Sequence, residues 1–315
     1  MRIRSITLFA DIQLPPKRNN IQKLSDFARD AKNEYEDAGF EVQTLRLATD
    51  IFPTLEASAW KVNPVEIIVT LERICRECGF EYIALGPAST VMLPYIDEIL
   101  SETSSVFATT HILKPGTGNI DVPAIKGTAK LIRNAAEIEN GFGNLRFAAL
   151  ANVPPGSPFF PGAYLDGKSP YYAIATESAD LAVKACRQSQ DAAQTYKILV
   201  NLIREHGHLI KSVAKHLAEK DGLNFTGIDF SLAPYPEPDI SIGWALEELS
   251  GQQLGGAGTL SAAAILAAAI QSADFPHTGY CGVMLPVLED VILAQRAAEK
   301  KLLVGDLLQW SAVCG

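Results

Sequence analysis

Residues 63–86 read NPVEIIVTLERICRECGFEYIALG, and this stretch decides the fold class. Asn63 stands as an N-cap before Pro64 at the first helical position, and apolar residues then recur at spacings of three and four. Gly79 closes the helix, and FEYIALG follows at once as a buried strand. The same hand-over repeats in both directions. Upstream, RIRSITLF (residues 2–9) is a strand, a loop holds Pro15 and Pro16, a helix runs from about Asn20 to Ala38 up to Gly39, and FEVQTLRLA (40–48) is a strand. Downstream come strand SSVFAT (104–109), helix VPAIKGTAKLIRNAAEIE (122–139), strand LRFAALANV (145–153) and a long helical region from Ser178 to Ala218. Then follow strand FTGIDFSLA (225–233), helices SIGWALEELS (241–250) and GTLSAAAILAAAIQSA (258–273), and strand GYCGVMLP (279–286). Helix LEDVILAQRAAEK (288–300) and a final strand LLQWSAV (307–313) end the chain. Roughly eight strands alternating with helices predict an α/β fold with a mainly parallel sheet, best closed as one large α/β barrel over residues 1–315.

Composition narrows the function. The chain has 315 residues, 48% hydrophobic and 20% charged, enough for a large core. Its formal charge of −9 argues against nucleic acid or an anionic membrane as partner and leaves small molecules or proteins. No apolar run reaches the length of a spanning helix and no leader pattern opens the chain, so a cytoplasmic protein is expected. The 5 cysteines are irregularly spaced and read as reduced. Cys75 and Cys78 form a CxxC, but no second ligand pair accompanies it, and a helix end closed by Gly79 accounts for both.

In such folds chemistry sits where strands hand over to loops. The loop PPGSPFFPGAYLDG follows Asn152 and carries Phe159, Phe160 and Tyr164, aromatics able to wall a pocket. Asp229 lies inside an apolar strand, where capping does not explain it, and Asp239, Glu289 and Asp290 follow strand ends. Converging carboxylates would hold Mg²⁺ or Ca²⁺, or divide into general acid and base; separately, each of the last three also suits a helix start. His111 and Lys114 follow another strand as candidate acid or base and anion anchor. Gly256, Gly258 and Thr259 open an alanine-rich helix whose free N–H groups would cradle an anion, or whose glycines simply allow close packing. His206, His208 and His216 read as solvent-facing. No organic cofactor is indicated.

The stretches ANVPPGSPFFPGAY, TESADLA, GIDFSLAPYPEPDISIGWALEEL, TGYCGVMLPVLEDVILAQRA and LLQWSAVCG resemble the motifs of domain-of-unknown-function family 711, over most of the chain. The resemblance implies a large barrel similar to that of pyruvate formate-lyase and other glycyl radical enzymes. It highlights Asn152, Pro154, Phe159, Phe160, Tyr164, Glu177, Ser178, Asp180, Asp229, Ser231, Asp239, Ser241, Glu289, Asp290 and Cys314. It implies no settled reaction. Radical chemistry is not expected, since FPHTGYCGV lacks an arginine ahead of Gly279 and Tyr280 and Gly279 is better read as relieving crowding. The family pattern continues past SAVCG with a threonine. Three functions stay open: an enzyme acting on a small polar or anionic metabolite at the barrel mouth, the upstream chain of a self-processed N-terminal-threonine amide hydrolase completed by a C-terminal chain, or a non-catalytic binding or assembly protein. Assembly from identical copies is also open.

Overall fold

The structure is a computed structural model that describes residues 1–13, 15–50, 63–114, 116–165, 167 and 169–314. Its strands are β1 (Arg2–Phe9), β2 (Val42–Ala48), β3 (Tyr82–Ala88), β4 (Val106–His111), β5 (Phe147–Leu150), β6 (Tyr171–Glu177) and β7 (Asn224–Asp229). They form one sheet in the order β5-β4-β3-β2-β1-β6-β7. β1 to β5 are mutually parallel, β6 runs antiparallel to β1, and β7 is parallel to β6. The α/β class and the mainly parallel sheet are therefore as expected. β5 and β7 are the end strands of the sheet, and Ile228 of β7 makes one further bridge, parallel, with His277.

The helices are α1 (Arg18–Asp37), α2 (Pro64–Cys78), α3 (Leu93–Glu102), α4 (Val122–Ala135), α5 (Ala179–Gln188), α6 (Ala192–Asp221), α7 (Ile242–Ser250), α8 (Thr259–Ser272), α9 (Val291–Ala298) and α10 (Val304–Cys314). Local chemistry sets their ends. Asn63 Oδ1 accepts from Val65 N at 3.0 Å, and Gly79 closes α2 in the left-handed region at φ 109°. Cys75 and Cys78 lie buried at that helix end, as the capping reading predicts.

Four expectations are corrected. The region from Ser178 to Ala218 is two helices, because Asp191 caps a new one by accepting from Gln194 N at 2.8 Å. β6 and α3 were not foreseen. Residues 279–286 form a loop, tied down by hydrogen bonds to β7 and the residues after it. The last expected strand is helix α10: Trp310 and Cys314, one helical turn apart, are buried, and Asp306 accepts from Leu303 N at 2.9 Å at its start.

The two faces of the sheet are unlike. Ile6, Leu8, Leu45, Leu47, Ile83, Leu85, Tyr172 and Ile174 point to the face that the helices cover, and form one large core with them. The opposite face carries Phe9, Ala48, Ala84, Ala173 and Phe107, with Ala175 further along; the loop residues Phe159, Phe160, Ala163 and Leu165 cover it, and no helical residue joins these two small clusters. Ser5 and Thr7 also point that way, and Thr7 Oγ1 donates to Pro158 O at 3.0 Å. This loop-covered sheet face, apolar apart from a few buried hydroxyls, is what positions the site.

Candidate functional site

The loop after β5 crosses the sheet and leaves a cleft of about 760 Å³ beside it. Asn152, Phe159, Phe160, Tyr280, Arg4 and Glu289 line it. Phe159 is buried rather than exposed, and its ring meets Tyr280 edge to face at 6.5 Å. Asn152 adopts φ 57°, a left-handed conformation asparagine tolerates at a tight turn. Three of the expected ligand-contacting residues thus share a wall, and Glu289 stands in the same cleft.

Arg4 sits between two carboxylates. Its Nη2 donates to Glu289 Oε2 at 2.9 Å, and its Nη1 lies 3.6 Å from Glu177 Oε2. Glu177 is itself buried, which pushes its carboxyl up, while Gln43 donates to Oε2 at 3.0 Å. Glu289 keeps Oε1 unengaged among the described residues.

Arg46 is different. Thr7, Arg46 and Tyr82 are register partners across β1, β2 and β3. Arg46 is 7% exposed, and among the described residues its guanidinium makes one hydrogen bond, from Nε to Thr44 Oγ1 at 2.8 Å. The guanidinium lies 5.1 Å from the Phe160 ring centroid and 5.5 Å from that of Tyr82. No carboxylate lies within ion-pair distance of it among the described residues. Burial first, and then the charge of Arg4, pull its pKa down to about 9, which leaves it cationic at neutral pH. Arg46 was not foreseen, although an arginine inside the apolar run LRLA was as anomalous as Asp229.

The other expected carboxylates serve structure. Asp229 is fully buried and accepts from Tyr280 N at 2.7 Å, Cys281 N at 2.9 Å and Ser231 Oγ at 2.6 Å. It latches the loop after Gly279, which has φ 67° and packs so closely on the Asp229 carboxylate that a Cβ would collide with it. Asp290 caps α9, accepting from Ile292 N and Leu293 N, both at 2.9 Å, and joins α7 through Ser241 Oγ at 2.9 Å and Gly243 N at 3.2 Å. Glu289 therefore precedes the helix rather than lying in its first turn. Asp239 is exposed and pairs with Arg187 at 2.6 Å. The four acids do not converge: among the described residues no three His, Cys, Asp or Glu side chains come together to hold a metal ion.

Gly256, Gly258 and Thr259 fit the close-packing alternative. A Cβ on Gly256 would fall 2.6 Å from Gln252 Oε1, and one on Gly258 3.0 Å from Ser250 Cβ. Thr259 is buried. His111 and Tyr164 line a separate cavity of about 420 Å³ at the ends of β3 and β4; Lys114 is exposed and lines neither cavity. His208 and His216 face solvent, but His206 is half-buried against Phe40. Cys314 is buried near Leu260 O, and Gly315, at the expected processing junction, lies outside the described residues. No helix among the described residues is long and apolar enough to cross a membrane.

A mainly parallel seven-stranded sheet with helices packed on it and a cleft beside the loop after β5 defines an α/β protein. The chain belongs to the family described as Uncharacterised ACR (DUF711), which it matches over residues 1–315. It is similar to UPF0210 protein MK1214 of Methanopyrus kandleri, 25% identical over 315 residues that cover 93% of this chain and 70% of that one. A UPF0210 protein of Sulfurisphaera tokodaii is 30% identical over 313 residues, 94% of this chain and 68% of the relative. A UPF0210 protein of Bifidobacterium longum is 24% identical over 322 residues, 94% and 71%.

Proposed function

We propose that the protein is an enzyme acting on a small anionic metabolite bound in the cleft, with Arg46 as the cation that holds it and Glu289 as acid or base. One observation supports this reading: Arg46 is a buried cation with no carboxylate at ion-pair distance among the described residues. A charge taken out of water is costly unless it is paired, so an interior cation without an internal partner implies a ligand that supplies the anion. Arg46 does not itself line the cleft; the Phe160 ring, 5.1 Å from its guanidinium, does, so the anion would reach Arg46 past that ring, and Phe159 and Tyr280 offer apolar surface beside it. Glu289, fixed by Arg4 with Oε1 unengaged, reaches the same space and has the chemistry to move a proton on a bound substrate.

The same reading takes the sheet as part of a closed barrel, similar to that of pyruvate formate-lyase, with the loop-covered face as its interior. The absence, among the described residues, of helical residues from the two small clusters on the loop-covered face, and the buried hydroxyls of Ser5 and Thr7 there, support it. Calorimetric titration with inorganic phosphate and with a panel of small mono- and dicarboxylates tests the function. Saturable binding of at least one anion is expected in the wild type and is absent in Arg46→Met. Failure of every anion to bind, or binding unchanged in Arg46→Met, contradicts it.

A further inference from the structure

The second cavity carries a proposal of its own, independent of the anion reading. It holds about 420 Å³ where β3 and β4 end and just beyond the end of β2, the edge at which parallel α/β sheets receive ligands. Its polar lining includes Asp50, Ser89, Thr110, His111, Asp121 and Tyr164. Three of these are already engaged. Asp121 Oδ1 accepts from Ala124 N at 3.0 Å to cap α4, Thr110 Oγ1 donates to Ala88 O at 2.7 Å, and the Tyr164 hydroxyl donates to Val153 O at 2.8 Å.

Two other atoms are not: Asp50 Oδ1 and Ser89 Oγ are buried without a hydrogen-bond partner among the described residues, while the Asp50 carboxylate also accepts from its own backbone N–H. Native interiors rarely leave such atoms unpaired, and two around one cavity indicate a missing donor. Charge says what kind. Asp50 and Asp121 bring carboxylates to the lining, and among the described residues no lysine or arginine does. Asp11 lies near enough to add, after burial, to the upward push on the Asp50 carboxyl. His111 is half-buried, and burial holds its pKa below the ordinary value, so its ring is neutral at pH 7 and has one nitrogen free to accept. The Tyr164 ring meets His111 edge to face at 5.8 Å and adds an aromatic wall.

A carboxylate with one unpaired oxygen, an unpaired hydroxyl, a neutral imidazole and an aromatic ring suit a cation with several N–H donors. Three metal-ligating groups do not converge here among the described residues, which separates an organic cation from a metal ion. We propose that this cavity binds the protonated amino group of a small organic amine, with Asp50 as its counter-ion, Ser89 and His111 as acceptors and the Tyr164 ring against its charge.

Calorimetric titration of the full chain with putrescine tests this, with butanediol as the uncharged control and Nα-acetyl-lysine amide as the form a peptide would present. Saturable binding of an amine is expected, weaker by at least about tenfold for the diol and in Asp50→Asn. Stronger binding of putrescine than of the lysine derivative assigns a free metabolite, and the reverse assigns a peptide-borne lysine. Ser89→Ala keeps the charge and the backbone, so it decides the matter where Asp50→Asn fails to fold, with an expected loss of about threefold. No saturable binding of either amine, equal binding of the diol, or unchanged affinity in the folded variants overturns the proposal.

Discussion

The guanidinium of Arg46 lies 5.1 Å from the centroid of the Phe160 ring, which joins a residue of β2 to the loop that crosses the sheet. That stacking substitutes for an ion pair only in part: a cation over an aromatic face gains about 0.5–2 kcal/mol, less than the cost of taking a charge out of water. Phe107, 5.3 Å from Phe160, and Tyr82, 5.2 Å from Phe107, extend the aromatic surface around it.

Glu289, paired with Arg4, is one of the charges that offset the positive charge of Arg46. Glu289→Gln removes one negative charge beside the proposed anion, so phosphate affinity is expected to rise about two- to fivefold by calorimetry. Global stability should move by no more than about 1 kcal/mol, since the pair is partly exposed. A fall in phosphate affinity would show that Glu289 does not face the bound anion.

Asp229 links stability to pH. Burial, opposed by the donors from Ser231, Tyr280 and Cys281, lifts its pKa from 3.8 to about 6. The folded state therefore binds the proton more tightly than the unfolded chain, so this contribution is full below about pH 4 and is lost as pH rises through about 6. Urea unfolding of wild type and Asp229→Asn across that window should show the wild type losing up to about 3 kcal/mol relative to the variant's own trend. Parallel curves would mean that Asp229 is ionised throughout. At every pH the asparagine should be less stable, because its amide group faces backbone N–H donors that the carboxylate now accepts.

Asp290 is expected to act on stability alone. Asp290→Ala leaves four donors on α7 and α9 without an acceptor, and should cost about 2–4 kcal/mol in urea unfolding. Addition of Mg²⁺ or Ca²⁺ should not change the unfolding midpoint of the wild type. A rise on adding either ion that Asp290→Ala abolishes would restore the metal reading of these acids.

Helix ends were the most legible part of the sequence. Asn63 with Pro64, Gly79, and Ser241 are local signals whose chemistry lies within a few residues of the break. The errors fall where the decisive partner is far away in sequence. Residues 279–286 have strand-like composition, but Asp229, some fifty positions earlier, draws their N–H groups out of a ladder. The segment 307–313 is equally apolar read as helix or strand, and only the burial of Trp310 and Cys314 against the core distinguishes them. The acids were read as one cluster because each follows a strand or loop, a position that serves caps as well as catalysis. For Asp229 and Asp290 the partners proved to be backbone N–H groups. Arg4 and Arg46 went unnoticed as site residues because charged residues on strands read as solvent-facing, whereas here the loop after β5 covers that side.

The most direct measurement is thermal unfolding of wild type and Arg46→Met, each with and without the anion that binds best. Replacing an unpaired interior cation by an apolar side chain of similar length should leave the free protein as stable or more so. The anion should raise the midpoint of the wild type and leave that of the variant where it was. An Arg46→Met protein that is markedly destabilised without ligand, yet still stabilised by the anion as the wild type is, would contradict the account: Arg46 would then be a structural residue, and the anion would bind elsewhere.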